Sequence, residues 1–159
     1  MTMLSRSFPP ASRALVLVLL PLLLLAGGCG SKEVAPPSPE ALREAVVGKT
    51  WIVHSLGGRS VTGDEQLTLA LSPDGTVSGT TGCGTFGGTY VMEGTALHFD
   101  SLVPEEKSCG PVLDEQRFSY LSFLRRVNGF KLDGDDLSLT MEEALRPLQL
   151  STSSPGLFW

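Results

Sequence analysis

The sequence predicts an α+β domain: an antiparallel, strongly curved β-sheet of about eight short strands packed against one α-helix. Three observations predict it. Apolar and polar residues alternate at period two from Thr50 to Leu102 and again from Phe130 to Leu150. The turns between these runs are short, which implies antiparallel neighbours. Between Gly110 and Gly129 the period changes to that of a helix.

In chain order, Trp51 and Val53 point one way and Ile52 and His54 the other. Leu67, Leu69 and Leu71 alternate with Thr68, Ala70 and Ser72. Ser72-Pro73-Asp74-Gly75 is a turn, because Pro presets φ and Gly accepts φ > 0. Thr76–Thr81 returns as a strand, so 66–81 is expected to be a hairpin. Phe86–Val91 is a Gly-rich strand, and Glu93-Gly94 turns it into Ala96–Leu102, with Leu97 and Phe99 inward and His98 and Asp100 outward. Gly110-Pro111 opens the helix, since Pro at the first helical position loses no needed donor. Asp114 and Glu115 suit the positive end of its dipole. Phe118, Leu121 and Leu124 are expected to form its buried stripe, with Tyr120 and Val127 beside it, and Asn128-Gly129 to end it. Phe130 and Leu132 lead into Asp133-Gly134, then Leu137, Leu139 and Met141 alternate, and Leu148 and Leu150 close the domain. The helix is expected to cover the open face of the sheet and so hide Trp51, the leucines and its own stripe.

Ahead of this domain the chain reads differently. Arg6 and Arg13 are the only charges among the first 28 residues. The run Ala14–Leu25 is apolar, and Ala26-Gly27-Gly28 precedes Cys29. This is the charged, apolar and small-residue order of a secretory signal. At about a dozen residues the run is too short for a spanning helix, which needs roughly 20. A cysteine directly after the small residues resembles the lipobox of bacterial lipoproteins, whose cysteine carries a diacylglycerol. Here Ala26 stands where that motif usually has Leu. The alternative is an ordinary signal peptide with a chance cysteine. Residues 1–28 are thus expected to be a signal peptide, 29–47 a Pro-rich tether with a short helical turn at Pro39–Val47, 48–151 the folded domain and 152–159 a tail.

Without the leader, 10 basic residues face 17 acidic ones, a net charge of −7. A nucleic-acid partner needs a basic face, so none is expected. An acidic domain is repelled by a phospholipid surface, so membrane attachment must come from the lipid on Cys29. Gly30 follows that cysteine where an inner-membrane retention signal places Asp. By resemblance to lipoprotein sorting, an outer membrane is favoured in a host that has two.

The chain has three cysteines. Lipidating Cys29 leaves Cys83 and Cys109, and such a pair tends to oxidise outside the cytoplasm. The loop of about 26 residues makes that bond worth roughly 3–4 kcal/mol in the chain-entropy account. The segment Thr81–Tyr90, TGCGTFGGTY, also has the look of a nucleophile loop around Cys83. A nucleophile needs a positioned base, and the two histidines, His54 and His98, lie in expected strands. No Gly-Lys-Ser/Thr follows the glycines, so they make no phosphate loop. The acid clusters Glu105-Glu106 and Asp133/Asp135/Asp136 are too short for a calcium loop. No metal and no cofactor are expected.

The order of motifs resembles the META domain, the HslJ-like family. Gly48-Lys49-Thr50-Trp51 matches its opening strand. The run Val77–Tyr90 matches its signature through Gly79, Gly82, Cys83, Phe86, Gly88 and Tyr90. Cys109 precedes Glu115-Gln116-Arg117-Phe118-Ser119-Tyr120-Leu121, and Gly134-Asp135-Asp136-Leu137-Ser138-Leu139 completes the pattern. Gly84 stands where the family usually has Asn; it accepts φ > 0 but supplies no amide. The resemblance covers roughly residues 48–151 and places Cys83 and Cys109 at the family's two cysteine positions. It implies an envelope-associated, non-catalytic domain linked to stress and no particular reaction. The expected function is therefore envelope integrity or stress through a protein partner. The alternatives are a carrier of a small apolar ligand and an inhibitor of a periplasmic hydrolase.

Overall fold

The computed structural model describes residues 37–142 and 146–152. The expected signal peptide, Cys29 and residues 153–159 lie outside them. Among the described residues there are two helices and nine strands: α1 (Pro39–Val46), β1 (Thr50–Leu56), β2 (Arg59–Ser60), β3 (Thr68–Leu71), β4 (Thr76–Thr80), β5 (Thr85–Glu93), β6 (Ala96–Pro104), α2 (Pro111–Leu124), β7 (Gly129–Asp133), β8 (Asp136–Thr140) and β9 (Leu148–Ser151).

Every strand pairing is antiparallel, as short turns require. The sheet nevertheless has no open face of the kind expected. The strands follow the order β1-β3-β4-β5-β6-β7-β8-β9, and β9 pairs back onto β1 through Ile52–Ser151 and Val53–Leu150. Eight strands thus form a closed barrel, and the two-residue β2 folds against the end of β1. Closure removes the exposed edges of a curved sheet. The alternating residues point into the barrel: Trp51, Leu67, Leu69, Leu97, Leu137, Leu139 and Leu148 are fully buried.

The helices sit at opposite ends. α1 starts at Ser38, whose hydroxyl accepts the Ala41 N–H (3.2 Å), with Pro39 in its first turn. Its last residue, Val46, is fully buried, and its carbonyl accepts the Trp51 indole N–H (3.0 Å). Packing therefore extends N-terminal of residue 48, into the stretch expected to be tether. α2 lies where β1, β4 and β6 finish and β3 and β5 begin. There Tyr120 reaches Thr68, Phe86 lies against Tyr120, and the Arg125 guanidinium donates to the Leu102 carbonyl.

Two expectations about α2 need correction. Its buried residues are Gln116, Tyr120, Leu121 and Leu124, whereas Phe118 is 71% exposed. At 3.6 residues per turn, Phe118 sits roughly 200° from both Gln116 and Tyr120. The stripe is turned because Gln116, a polar residue, takes a place in it. The Gln116 side chain accepts the Thr62 backbone N–H (2.8 Å) and donates to the Thr62 carbonyl (2.9 Å). The helix also ends at Leu124 and continues as a tight turn through Arg125–Val127. Gly129 does not terminate it; that glycine is a buried strand residue pairing with Ala96 and Thr140.

β6 carries a bulge. Ser101 has φ 51°, and the register with β5 shifts between Gly87 and Thr89. The extra residue changes the phase, so Leu97, Phe99 and then Leu102 face inward. Gly88 lies opposite, where a Cβ would stand 2.9 Å from the Asp100 carbonyl oxygen.

Candidate functional site: the seat of α2 and the groove beside it

The signature residues around Cys83 gather under α2. At Gly79 a Cβ would lie 1.9 Å from the Thr68 carbonyl oxygen. Its absence lets that carbonyl turn inward, where it accepts the hydroxyl of fully buried Tyr120 (3.1 Å). Burial pushes the Tyr120 phenol well above its usual range, so it stays a donor. Phe86 meets Tyr120 edge to face, with ring centroids 5.7 Å apart. Gly82 has φ 74° and turns the chain beside Leu67 and the Gln116 amide.

Next to Gly82, Cys83 is buried and bonded to Cys109, their Cα atoms 5.8 Å apart. The bond ties the β4–β5 turn to the segment that enters α2. That entry is further fixed by Asp114, which accepts the Ser108 hydroxyl (2.6 Å) and the Cys109 N–H (3.1 Å). These two bonds, with Arg117 beside it, hold the Asp114 carboxyl below its usual range. Trp51 and Tyr90 act elsewhere. Trp51 fixes α1, and the Tyr90 hydroxyl donates to the Ser72 carbonyl (2.8 Å) at the 72–75 turn. Within the described residues the signature is architectural: it makes room for, and fastens, a helix.

Among the described residues, neither histidine stands beside Cys83. His98 is exposed on β6. His54 is half-buried on β1 and shares a 2.6 Å hydrogen bond with Ser151 across the β1–β9 seam. No group of three metal-binding side chains stands together among the described residues. No helix there is long and apolar enough to cross a membrane.

The feature that sequence reading missed is a groove outside the barrel, of about 580 Å³, between the β1–β2 hairpin and the outer face of α2. Leu56, Gly57, Arg59 and Thr62 line one side, and Val112, Phe118, Phe123 and Arg126 the other. The hairpin turns on Gly57 (φ 59°) and Gly58 (φ 87°), both in the left-handed region a two-residue turn demands. The Gly57-Gly58 dipeptide is the sequence signal that marks this hairpin. Phe118 and Val112, 71% and 68% exposed, rise from α2 beside the groove. The Arg126 guanidinium lies 5.3 Å over the Phe123 ring.

The META domain model matches residues 44–154. Among solved structures, a protein from Burkholderia xenovorans determined by NMR is similar, at 21% identity and a TM-score of 0.57 over 80% of this chain and 97% of that one. A second NMR structure gives 18% identity and a TM-score of 0.57 over 74% and 96%. A crystal structure of a duf4847 family protein from Bacteroides vulgatus gives 13% and 0.53 over 72% and 99%. These likenesses show a shared fold. No curated protein matches the chain in sequence. With Gly79, Gly82, Cys83 and Phe86 of the signature seated under α2 and the family match spanning most of the chain, the protein belongs to the META domain family.

Proposed function

We propose that the protein is a lipid-anchored, extracytoplasmic, non-catalytic domain that binds another protein of the cell envelope at this groove, in envelope integrity or stress. The observation that carries the reading is Phe118: an aromatic ring in water beside a groove, on a helix whose other face is tightly seated. Val112 and Phe123 line the same groove, and exposed apolar side chains gathered in this way mark contact sites. Cys83 supports the non-catalytic part of the reading, because a buried disulfide sulfur is no nucleophile. The barrel interior is filled by Trp51, Tyr120 and the leucines, which weighs for an outer contact over carriage of a ligand inside.

A photo-crosslinking side chain at Val112, in the intact envelope, tests the contact. One discrete protein adduct is expected, and Phe118→Asp is expected to abolish it while leaving the melting temperature unchanged. An adduct indifferent to Phe118, or none, defeats the reading. The anchor is tested separately: Cys29→Ser is expected to stop acylation and processing. A Cys29→Ser chain recovered at mature size in the membrane fraction defeats it.

A further inference from the structure

We propose that the groove, on the reading just given, takes an extended acidic–apolar segment of its partner, with an apolar side chain on Phe118 and Phe123 and an aspartate or glutamate against Arg59 and Arg126. The charge distribution carries this. The chain is acidic, with a formal net charge of −5, yet the groove is locally basic. Among the described residues, Arg59 and Arg126 line it against one acid, Glu115, and Arg146 lies against Gly58 at the hairpin tip. Among the described residues the carboxylate ion pair is Asp114–Arg117, outside this set. Arg59 and Arg126 are exposed and have no such partner there. Arg126 is already oriented, its Nε donating to the Ser122 carbonyl (3.4 Å) and its plane near Phe123. An oriented guanidinium loses less freedom on meeting a carboxylate than a free one.

The charges also set a direction. Glu115 lies near the start of α2 and Arg126 just beyond its end. At 1.5 Å per residue that separation is roughly 16 Å, the length of about five extended residues. A segment lying along the groove is therefore expected to place its carboxylate at the Arg126 end, clear of Glu115. Among the described residues β2 pairs with β1 alone, and Arg59 and Ser60 border the groove. An extended chain suits such a border, because it can add main-chain bonds to a strand edge.

The test uses the soluble chain from residue 30 onward and three fluorescent decapeptides: alternating Asp–Leu, alternating Lys–Leu and alternating Asp–Ser. Fluorescence anisotropy at low salt is expected to show the Asp–Leu peptide bound at least tenfold tighter than either other. Phe118→Asp and Arg126→Glu are each expected to weaken it fivefold or more, and Arg126→Glu to raise affinity for the Lys–Leu peptide. Phe118 and Arg126 are exposed, so circular dichroism and melting temperature are expected to be unchanged. Equal binding of the Lys–Leu peptide, or binding indifferent to both variants, overturns the proposal. So does a Phe118-dependent dimer in sedimentation velocity, which assigns the groove to a second copy. So does Phe118-dependent binding to phosphatidylglycerol vesicles, which assigns it to a lipid surface. If the peptides fail while the Val112 adduct still depends on Phe118, the protein-binding reading stands and the acidic–apolar chemistry alone is wrong.

Discussion

Breaking the Cys83–Cys109 bond should cost the domain about 15 °C of melting temperature. The bond closes a loop of 26 residues. In the chain-entropy account, a loop of that length removes about 12 cal/mol/K from the unfolded chain, or about 3.5 kcal/mol at room temperature. A domain of roughly 110 residues unfolds with an entropy of about 0.23 kcal/mol/K, which converts that loss to about 15 °C. Native contacts should add little. The Lys107 carbonyl and Asp114, 3.7 and 3.8 Å from the sulfur, are the acceptors that a serine hydroxyl at 83 would reach after a small shift. Cys109 is exposed, so its serine variant leaves no buried group without a partner. Cys83→Ser, Cys109→Ser, the double variant and the reduced wild type should therefore melt within a few degrees of one another. Circular dichroism melts with and without a thiol reductant provide the assay. A reduced wild type that melts within about 3 °C of the oxidised form would refute the reasoning, and so would a double variant that loses twice what either single loses.

Gly79→Ala should destabilise by more than about 2 kcal/mol, because its Cβ would lie 1.9 Å from a backbone carbonyl; a denaturant midpoint close to wild type would contradict this. Tyr120→Phe leaves the half-buried Thr68 carbonyl without this donor and should cost about 1–2 kcal/mol, or about 4–9 °C. The two changes act on one carbonyl, so the double variant should cost less than the sum of the singles; strict additivity would break the link between Gly79 and α2. Asp114 has its pKa lowered from 3.8, chiefly by the Ser108 hydroxyl and then by the Cys109 N–H. Its contribution is full above that value and is lost as pH falls through the folded-state pKa. Melting temperature measured from pH 5 to pH 2 should fall more steeply in wild type than in Asp114→Asn, and parallel curves would remove Asp114 from the acid response.

Much of the barrel was legible because local patterning is strong. The leucines at 67, 69 and 71 and at 137 and 139 read as inward-facing, and so they are. Closure was not legible, since it rests on β1 meeting β9, strands almost a hundred residues apart that carry no mutual mark. The face of α2 was misread because hydropathy sends Gln116 outward and Phe118 inward. The Thr62–Gln116 bonds reverse both, and they depend on a loop whose path no period reveals. The groove followed the same fate, since it exists only once the Gly57-Gly58 hairpin and the exposed face of α2 are side by side.

A ring closed by its first and last strands also constrains how the protein can be made. A chain emerging N-terminus first presents β1 early and must wait for β9. Until Leu148–Ser151 arrives, β1 and β8 remain open edges, and both sides of that gap can recruit a strand from another molecule. The interval between the emergence of residue 56 and that of residue 151 at the place of folding is therefore the period of greatest exposure to misassembly. A nascent chain halted before residue 148 is expected to be a sticky species, however stable the finished barrel proves to be.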